Sequence, residues 1–340
     1  MKLDVLFINP GNASGIYQDL SKDFSAIETP TWALLLAESC RSKGFKVAIL
    51  DVNAERIDNL EATKKIIDLN PKLVVAVVYG QNPNSGTVNM SGTMNLANEI
   101  KKQKKNIIFS VIGSHAQALP VETMETEKNL DFIFTNEGVY SLWNVLSLEK
   151  IEFEYLKKIK GLCLRDKILN KVFMTPSERI VPQSQMDIDL PGYAWDLLPY
   201  KKKPLDMYRA HFWHGNYDFE QRYPFAAIYT SLGCRFKCNF CMINIINRDD
   251  DVEVGQASNY ANMRYWSPEF IIKEFDKLVD MGVKNIRISD EMFLLNKKFY
   301  LPLCELLKQR GYGKFLNMWA YSRVDTVNAK YLSVIKDAGI

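Results

Sequence analysis

Cys234, Cys238 and Cys241 are spaced C-x3-C-x2-C in the stretch Thr230-Ser231-Leu232-Gly233-Cys234-Arg235-Phe236-Lys237-Cys238-Asn239-Phe240-Cys241. Three thiolates from one tight loop can hold three irons of a cubic [4Fe–4S] cluster. The fourth iron then has no protein ligand and is open to substrate, whereas a cluster with four cysteine ligands carries electrons. Phe240, just before the last cysteine, offers the cluster an apolar neighbour. Zinc is the competing reading, with His211 and His214 as further ligands. Structural zinc sites favour paired C-x2-C knuckles, which this spacing does not form. Disulfides are disfavoured, because six cysteines are spread over 340 residues that bury their own core. Cys40, Cys163 and Cys304 lie in apolar periodic segments and read as small buried hydrophobes.

The net charge is only +3, which gives no electrostatic support for nucleic-acid binding. The basic clusters at 101–105 and 201–203 read as solvated faces, the first closing a helix. The longest apolar run, Leu73 to Val78, is far short of the ~20 residues of a membrane helix. Free thiols and an oxygen-sensitive cluster point to the reducing cytoplasm.

The first 150 residues alternate strand and helix. Val5 to Ile8, Val47 to Leu50, Leu73 to Tyr79, Ile107 to Ile112 and Asp131 to Phe134 read as strands. Helices fall between them at 31–43, 60–69 and 91–102. Continuous apolar strands separated by helices predict an α/β fold with a doubly wound parallel sheet. Its ligand belongs at the carboxyl ends of the strands. The turns there are Asn9-Pro10-Gly11, Tyr79-Gly80-Gln81, Gly113-Ser114-His115 and Asn136-Glu137-Gly138. No G-x-G-x-x-G and no Walker loop occurs, which weakens NAD and ATP as ligands. Gly80, Gly113 and Gly138 let a large flat ligand approach the backbone, or serve as ordinary turn residues.

Residues 151–225 read as a connector. A short hairpin at 160–174 opens it, and its aromatic content is too high for a disordered linker. Tyr208, His211, Trp213, His214 and Tyr217 either line a substrate entrance or pack an irregular segment. From Ala226 to the end of the chain three β/α units follow. Ser267-Pro268-Glu269 opens the first helix with a cap, a proline at N1 and an acid in the first turn. Asn296 caps the second and Asn328 starts the third.

The cysteine loop after an apolar strand resembles that of the radical S-adenosylmethionine (SAM) enzymes. Ile112-Gly113-Ser114-His115, then Asp131 to Gly138, is similar to the cobalamin-binding domain that precedes many radical SAM cores. That family's usual Gly-Gly-x-His and Gly-Glu-Gly turns appear here with Ser114 and Asn136 in place of glycines. Ile27 to Ala37 resembles the family's first helix, and the linker phrases at 189–191 and 195–199 extend the likeness.

This resemblance implies a Rossmann-like cobalamin-binding domain at 1–150, the connector at 151–225, and a partial (β/α) barrel of radical SAM type at 226–340. It implies three cofactors: a [4Fe–4S] cluster on Cys234, Cys238 and Cys241, SAM, and cobalamin. Tyr79, Gly80, Gly113, Ser114, His115, Asn136, Glu137 and Gly138 fall where the family binds the corrin. Ser289-Asp290-Glu291 stands where the family often carries a Gly-Gly-Glu for the SAM amino group, leaving Asp290 and Glu291 both open. Arg323 faces the SAM carboxylate or pairs with Asp325. The loop after the first strand has no histidine, so cobalt is expected without a histidine ligand from it.

The implied activity is reductive cleavage of SAM to a 5′-deoxyadenosyl radical, driving methyl transfer to an unactivated carbon or phosphorus of a small molecule. A flavodoxin or ferredoxin is the implied electron donor. A cobalamin-assisted rearrangement or oxidative cyclisation is the rival within enzymes. The family's barrel has six units, and three leave an open strand edge. A chain cut short within the barrel is therefore expected, and with it the rival of a non-catalytic cofactor-binding protein.

Overall fold

The structure, a computed structural model, describes residues 3–11, 13–80, 85–166, 168–246 and 262–340. Most of the polar loop expected after the cysteines, and Asn12, Gln81 and Lys167 of the expected turns, lie outside the described residues.

Strands β1 (Val5–Asn9), β2 (Val47–Asp51), β3 (Leu73–Val77), β4 (Phe109–Ile112) and β5 (Phe132–Phe134) form the parallel part of a sheet. The hairpin β6 (Leu162–Asp166) and β7 (Lys171–Met174) continues it antiparallel, in the order β2-β1-β3-β4-β5-β6-β7. The hairpin expected inside the connector thus extends the sheet. Its Leu162 and Cys163 are buried against Phe134 and Ile133, a pairing with no local sequence signal.

Side chains alternate across the sheet because the strand period is two. Leu6, Ile8, Val74, Ala76 and Val78 face one core. The helices after β1 are α1 (Ala13–Tyr17), α2 (Leu20–Asp23) and α3 (Thr31–Ser42). Next come α4 (Val52–Glu55), α5 (Asn59–Leu69) and α6 (Thr87–Gln103), the last two covering that first core. Asp58 caps α5 by accepting from Glu61 N at 2.8 Å. After β4 and β5 come α7 (Ser114–Ala118), α8 (Pro120–Thr126), α9 (Val139–Ser147) and α10 (Phe153–Leu156).

Val5, Phe7, Leu73, Val75 and Val77 face the opposite way, against α3 and α9. That second core runs on without a break through connector residues Met186, Leu190, Trp195 and Tyr208 into the second half of the chain. The connector, with α11 (Met186–Asp189), is stapled to both sides. Asp189 accepts from Tyr140 Oη at 2.8 Å, and its carbonyl accepts from Ser39 Oγ at 2.7 Å. Trp195 Nε1 donates to Glu274 at 2.9 Å, and Trp266 Nε1 to the Leu190 carbonyl at 2.7 Å.

The second half is built on β8 (Phe225–Ile228), β11 (Asn285–Ile288) and β12 (Asn317–Ala320), parallel in the order β12-β11-β8. A small antiparallel pair, β9 (Ser231–Gly233) and β10 (Met263–Tyr265), flanks the cysteine loop, which leads into α12 (Ile243–Ile246). Outside the sheet lie α13 (Pro268–Asp280) and α14 (Lys297–Gln309), and α15 (Leu332–Asp337) follows β12. The expected caps form: Ser267 Oγ accepts from Phe270 N at 3.2 Å, and Asn296 Oδ1 from Lys298 N at 3.1 Å. Among the described residues no helix is long and apolar enough to cross a membrane.

Candidate functional site

The chain leaves β8, turns at Tyr229-Thr230, forms β9 and delivers Cys234 at its end. Asp290 holds that turn. Its Oδ1 accepts from Thr230 N (2.6 Å) and Ser231 N (3.1 Å), and its Oδ2 from both hydroxyls (2.6 Å each). Asp290 is fully buried, and burial pushes its carboxyl up to about 6 despite these bonds. Tyr193 Oη spans the same turn, donating to the Tyr229 carbonyl and accepting from its N–H, both at 2.8 Å.

Cys234 is buried, and Cys238 and Cys241 are half-buried. Ala118, Ile243, Ile246 and Met292 pack around Cys234, with Phe236 and Cys241 against them. Phe236 N donates to Cys234 Sγ at 3.5 Å. Burial raises the thiols of Cys234 and Cys241, and the nearby charges of Glu291 and of the other loop thiols add to it. Among the described residues no three His, Cys, Asp or Glu converge closely enough for one metal ion. A cubic cluster gives each thiolate its own iron, so its thiols stand wider apart than around a single ion. Two thiols of one loop in an apolar patch, Cys234 and Cys241, with Cys238 half-buried on the same loop and an N–H aimed at the Cys234 sulfur, fit such a cluster. The histidines considered for zinc lie elsewhere. His214 Nε2 meets the Asn317 carbonyl (2.9 Å) at the amino end of β12, and His211 Nε2 is 3.5 Å from Glu28. Phe240 is 81% exposed, and Phe236 is the aromatic that packs in the patch.

Glu291, beside Asp290, is only partly exposed. Burial pushes its carboxyl up to about 7, the Asp290 charge adds, and Arg287 opposes. No hydrogen bond is formed by its carboxylate among the described residues, in contrast to Asp290. Arg323, at the carboxyl end of β12, lies over the Phe236 ring at 4.0 Å and reaches Cys238 Sγ at 3.6 Å. Asp325 accepts from its Nε (3.0 Å) and Nη2 (2.7 Å). Arg323 therefore pairs with Asp325 and stands at the cysteine loop, and Glu291 and Arg323 present opposite charges to it.

In the other half, a strand order that reverses between β1 and β3 opens a crevice at that switch point. A cavity there is lined by Asn9, Pro10, Glu28, Trp32, Tyr79 and Gly80 among others. Trp32 stacks on Tyr79 with centroids 4.9 Å apart. Tyr79 Oη accepts from Gln117 Nε2 at 2.7 Å, and the same amide donates to the Asn136 carbonyl at 2.5 Å. Backbone and side chains crowd at the strand ends. A Cβ on Gly113 would lie 2.0 Å from the Val78 carbonyl oxygen, and one on Gly86 2.0 Å from Ser114 Oγ. Among the described residues Ser114 Oγ and Gln117 Oε1 are buried without a hydrogen-bond partner. The glycines here therefore serve close packing of the chain on itself, Gly80 against Ser85 and Gly113 against Val78, and it is the two unpaired buried oxygens that fit a ligand bringing hydrogen-bond donors. His115 Nδ1 meets Thr87 Oγ1 at 2.9 Å, and burial lowers its pKa, favouring the neutral ring.

The turn at 136–138 is differently employed. Asn136 Oδ1 accepts from Gly138 N at 2.9 Å, and Gly138 holds φ +77° against Ile112. Glu137 is buried in a two-pronged pair with Arg264 of β10, Nη1 to Oε1 at 3.1 Å and Nη2 to Oε2 at 2.8 Å. Its Oε1 also accepts from Val181 N. Glu137 thus ties the sheet to the strand beside the cysteine loop.

Two further features join the halves. Helix α7 packs Ala118 against the residues of α12 and Cys234, so the loop after β4 abuts the cysteine loop. Glu28, ahead of α3, pairs with Arg287 of β11, and Thr29 Oγ1 accepts from Ala227 N at 2.9 Å. Trp32, Gln117, Glu28, Arg287 and Arg264 were not singled out from the sequence, although Glu28, Trp32 and Gln117 stand within the segments that carry the family likeness and Arg287 within an expected strand. Of the connector aromatics, Tyr208 and His214 are buried packing residues, Trp213 and Tyr217 are exposed, and His211 faces Glu28.

Residues 20–145 match the B12 binding domain family, and residues 228–340 match the radical SAM superfamily. The chain is 28% identical over 315 residues to an uncharacterised methyltransferase, PH0819, of Pyrococcus horikoshii. The match takes in 91% of this chain and 59% of that protein, so the chain spans somewhat over half its relative's length. Among solved structures it resembles the radical SAM methyltransferase TsrM of Kitasatospora setae with tryptophan and a SAM analogue bound. There the TM-score is 0.66 at 15% identity, over 98% of this chain and 57% of TsrM. The cobalamin-dependent SAM radical enzyme OxsB gives a TM-score of 0.65 at 17% identity, over 99% of this chain and 41% of OxsB. At these identities the likeness is one of fold.

Proposed function

Since the chain belongs to the radical SAM superfamily and carries an N-terminal B12-binding domain, we propose that it serves a cobalamin-dependent radical SAM methyl transfer to a small molecule. One observation carries this reading: the cysteine loop is packed directly against the helix that follows β4, at the carboxyl edge where the corrin is expected. When bound, the cluster supplies the electron that cleaves SAM to a 5′-deoxyadenosyl radical, and the corrin supplies the methyl carrier.

Cys234, Cys238 and Cys241 hold the cluster. Glu291 receives the SAM ammonium, because its carboxylate is uncommitted while that of Asp290 is consumed by Thr230 and Ser231. Arg323 receives the SAM carboxylate, exchanging Asp325 for it. Tyr79, Gly80, Gly113, Ser114, His115 and Asn136 contact the corrin, with Gly138 shaping the edge. Glu137 and Asp290 are positioning residues. The loop directly after β1 contains no histidine, so it would supply none to the cobalt of a bound corrin. The acceptor is an unactivated carbon or phosphorus, the electron donor a flavodoxin- or ferredoxin-class protein, and the compartment the cytoplasm.

The test is anaerobic reconstitution with iron, sulfide and hydroxocobalamin. About four irons and one corrin per chain are expected, with no protein-nitrogen splitting in the cobalt(II) EPR spectrum. Zinc in place of iron, or no corrin, refutes the reading. With substrate in hand, a product lacking an added methyl group would reassign the chemistry to rearrangement or cyclisation.

A further inference from the structure

At the cysteine loop, Arg323 Nη1 reaches Cys238 Sγ at 3.6 Å while its guanidinium is stacked 4.0 Å over Phe236. The stack and the planar fork hold that cation in one place. Asp325 then grips the same guanidinium from the outside with two bonds, at 3.0 and 2.7 Å.

We propose that Arg323 and Asp325 form an opposed-charge pair that sets the reduction potential of the cluster held by Cys234, Cys238 and Cys241, Arg323 raising it and Asp325 offsetting Arg323. The proposal rests on the cluster assignment above but not on how SAM binds. One-electron reduction, by whatever donor, adds one negative charge to the cluster and its thiolates. A fixed cation in reach of one sulfur stabilises that reduced form more than the oxidised form, so the potential rises; hydrogen bonds to sulfur and net charge act in this way. The Arg323 and Asp325 side chains are 43% and 53% exposed, so solvent and salt weaken the effect. When the SAM carboxylate replaces Asp325 on Arg323, one anion is exchanged for another, and the offset is retained.

The experiment is an EPR-monitored redox titration of the full chain with reconstituted cluster, free of SAM and of cobalamin, at low and high salt. Arg323→Gln removes the cation and leaves Asp325 uncompensated. At the wild-type midpoint its reduced-to-oxidised ratio should fall three- to tenfold, tenfold being ~59 mV for one electron. Asp325→Asn should raise the ratio, and the double variant should return near wild type. Both shifts should shrink at high salt. Unmoved midpoints at full iron content, or shifts of the same sign in the two single variants, would overturn the proposal. If Arg323→Gln loses iron, Asp325→Asn alone decides the sign. Weaker SAM binding by Arg323→Gln with unchanged SAM-free potential would reduce Arg323 to a SAM ligand. No iron in any variant would instead sink the cluster assignment.

Discussion

Replacing Glu137 with alanine should be among the most damaging single changes outside the cysteines. Its side chain and that of Arg264 are 1% and 2% exposed, so solvent cannot take over the lost partner. The substitution strips Arg264 of both carboxylate bonds and, among the described residues, leaves only the Val181 carbonyl, 2.6 Å from Nη1. The Val181 N–H is orphaned as well. An uncompensated buried charge of this kind costs about 3–5 kcal/mol, a large part of the 5–15 kcal/mol that a typical domain has in total. The loss is transmitted locally, because Arg264 pairs in β10 with Leu232, two residues before Cys234. Urea unfolding followed by tryptophan fluorescence should show the loss, and iron retention after reconstitution should fall with it. Glu137→Leu combined with Arg264→Met removes both charges and should recover most of the stability, since apolar replacement of a buried pair is near neutral or favourable. A single-variant loss under about 1 kcal/mol, or a double variant as unstable as Glu137→Ala, would refute this reasoning.

Changing Cys234, Cys238 or Cys241 to alanine should abolish the brown absorbance of the anaerobically reconstituted protein, read together with iron analysis. Gly113→Ala drives a Cβ to 2.0 Å from the Val78 carbonyl and should lower both thermal stability and hydroxocobalamin affinity; unchanged affinity would remove this edge from the corrin site. Asp290 is raised from 3.8 to about 6, so between those values the folded protein holds a proton that the unfolded chain has released. Stability relative to Asp290→Asn should therefore fall as pH rises from about 4 to about 6 and level off above, measured by urea titration across that range. Tyr208→Phe removes the 2.9 Å bond to buried Asp51 and should cost about 1.5–3 kcal/mol; no change in urea midpoint would show that the connector is not anchored there.

The periodicities, the caps and the cysteine loop are short-range features, and the sequence by itself determined them. Ser267 and Asn296 cap their helices because a cap involves neighbours two or three residues away. The parallel strands were legible because both faces are buried, which leaves continuous apolar runs. The three cysteines stood out because their ligand set lies within eight residues.

What tertiary structure decided is which polar groups have a partner. Asp290 and Glu291 are adjacent carboxylates in the sequence. Only the fold shows that Thr230 and Ser231, about sixty positions away, consume the first and leave the second. Glu137 reads as a ligand in its turn, yet Arg264, 127 positions on, closes around it. Arg323 was open between two partners until the fold set it against Asp325, Phe236 and Cys238 at once. A buried charge carries no local mark of its counter-ion, because the pairing is made by packing between distant segments and not by spacing along the chain.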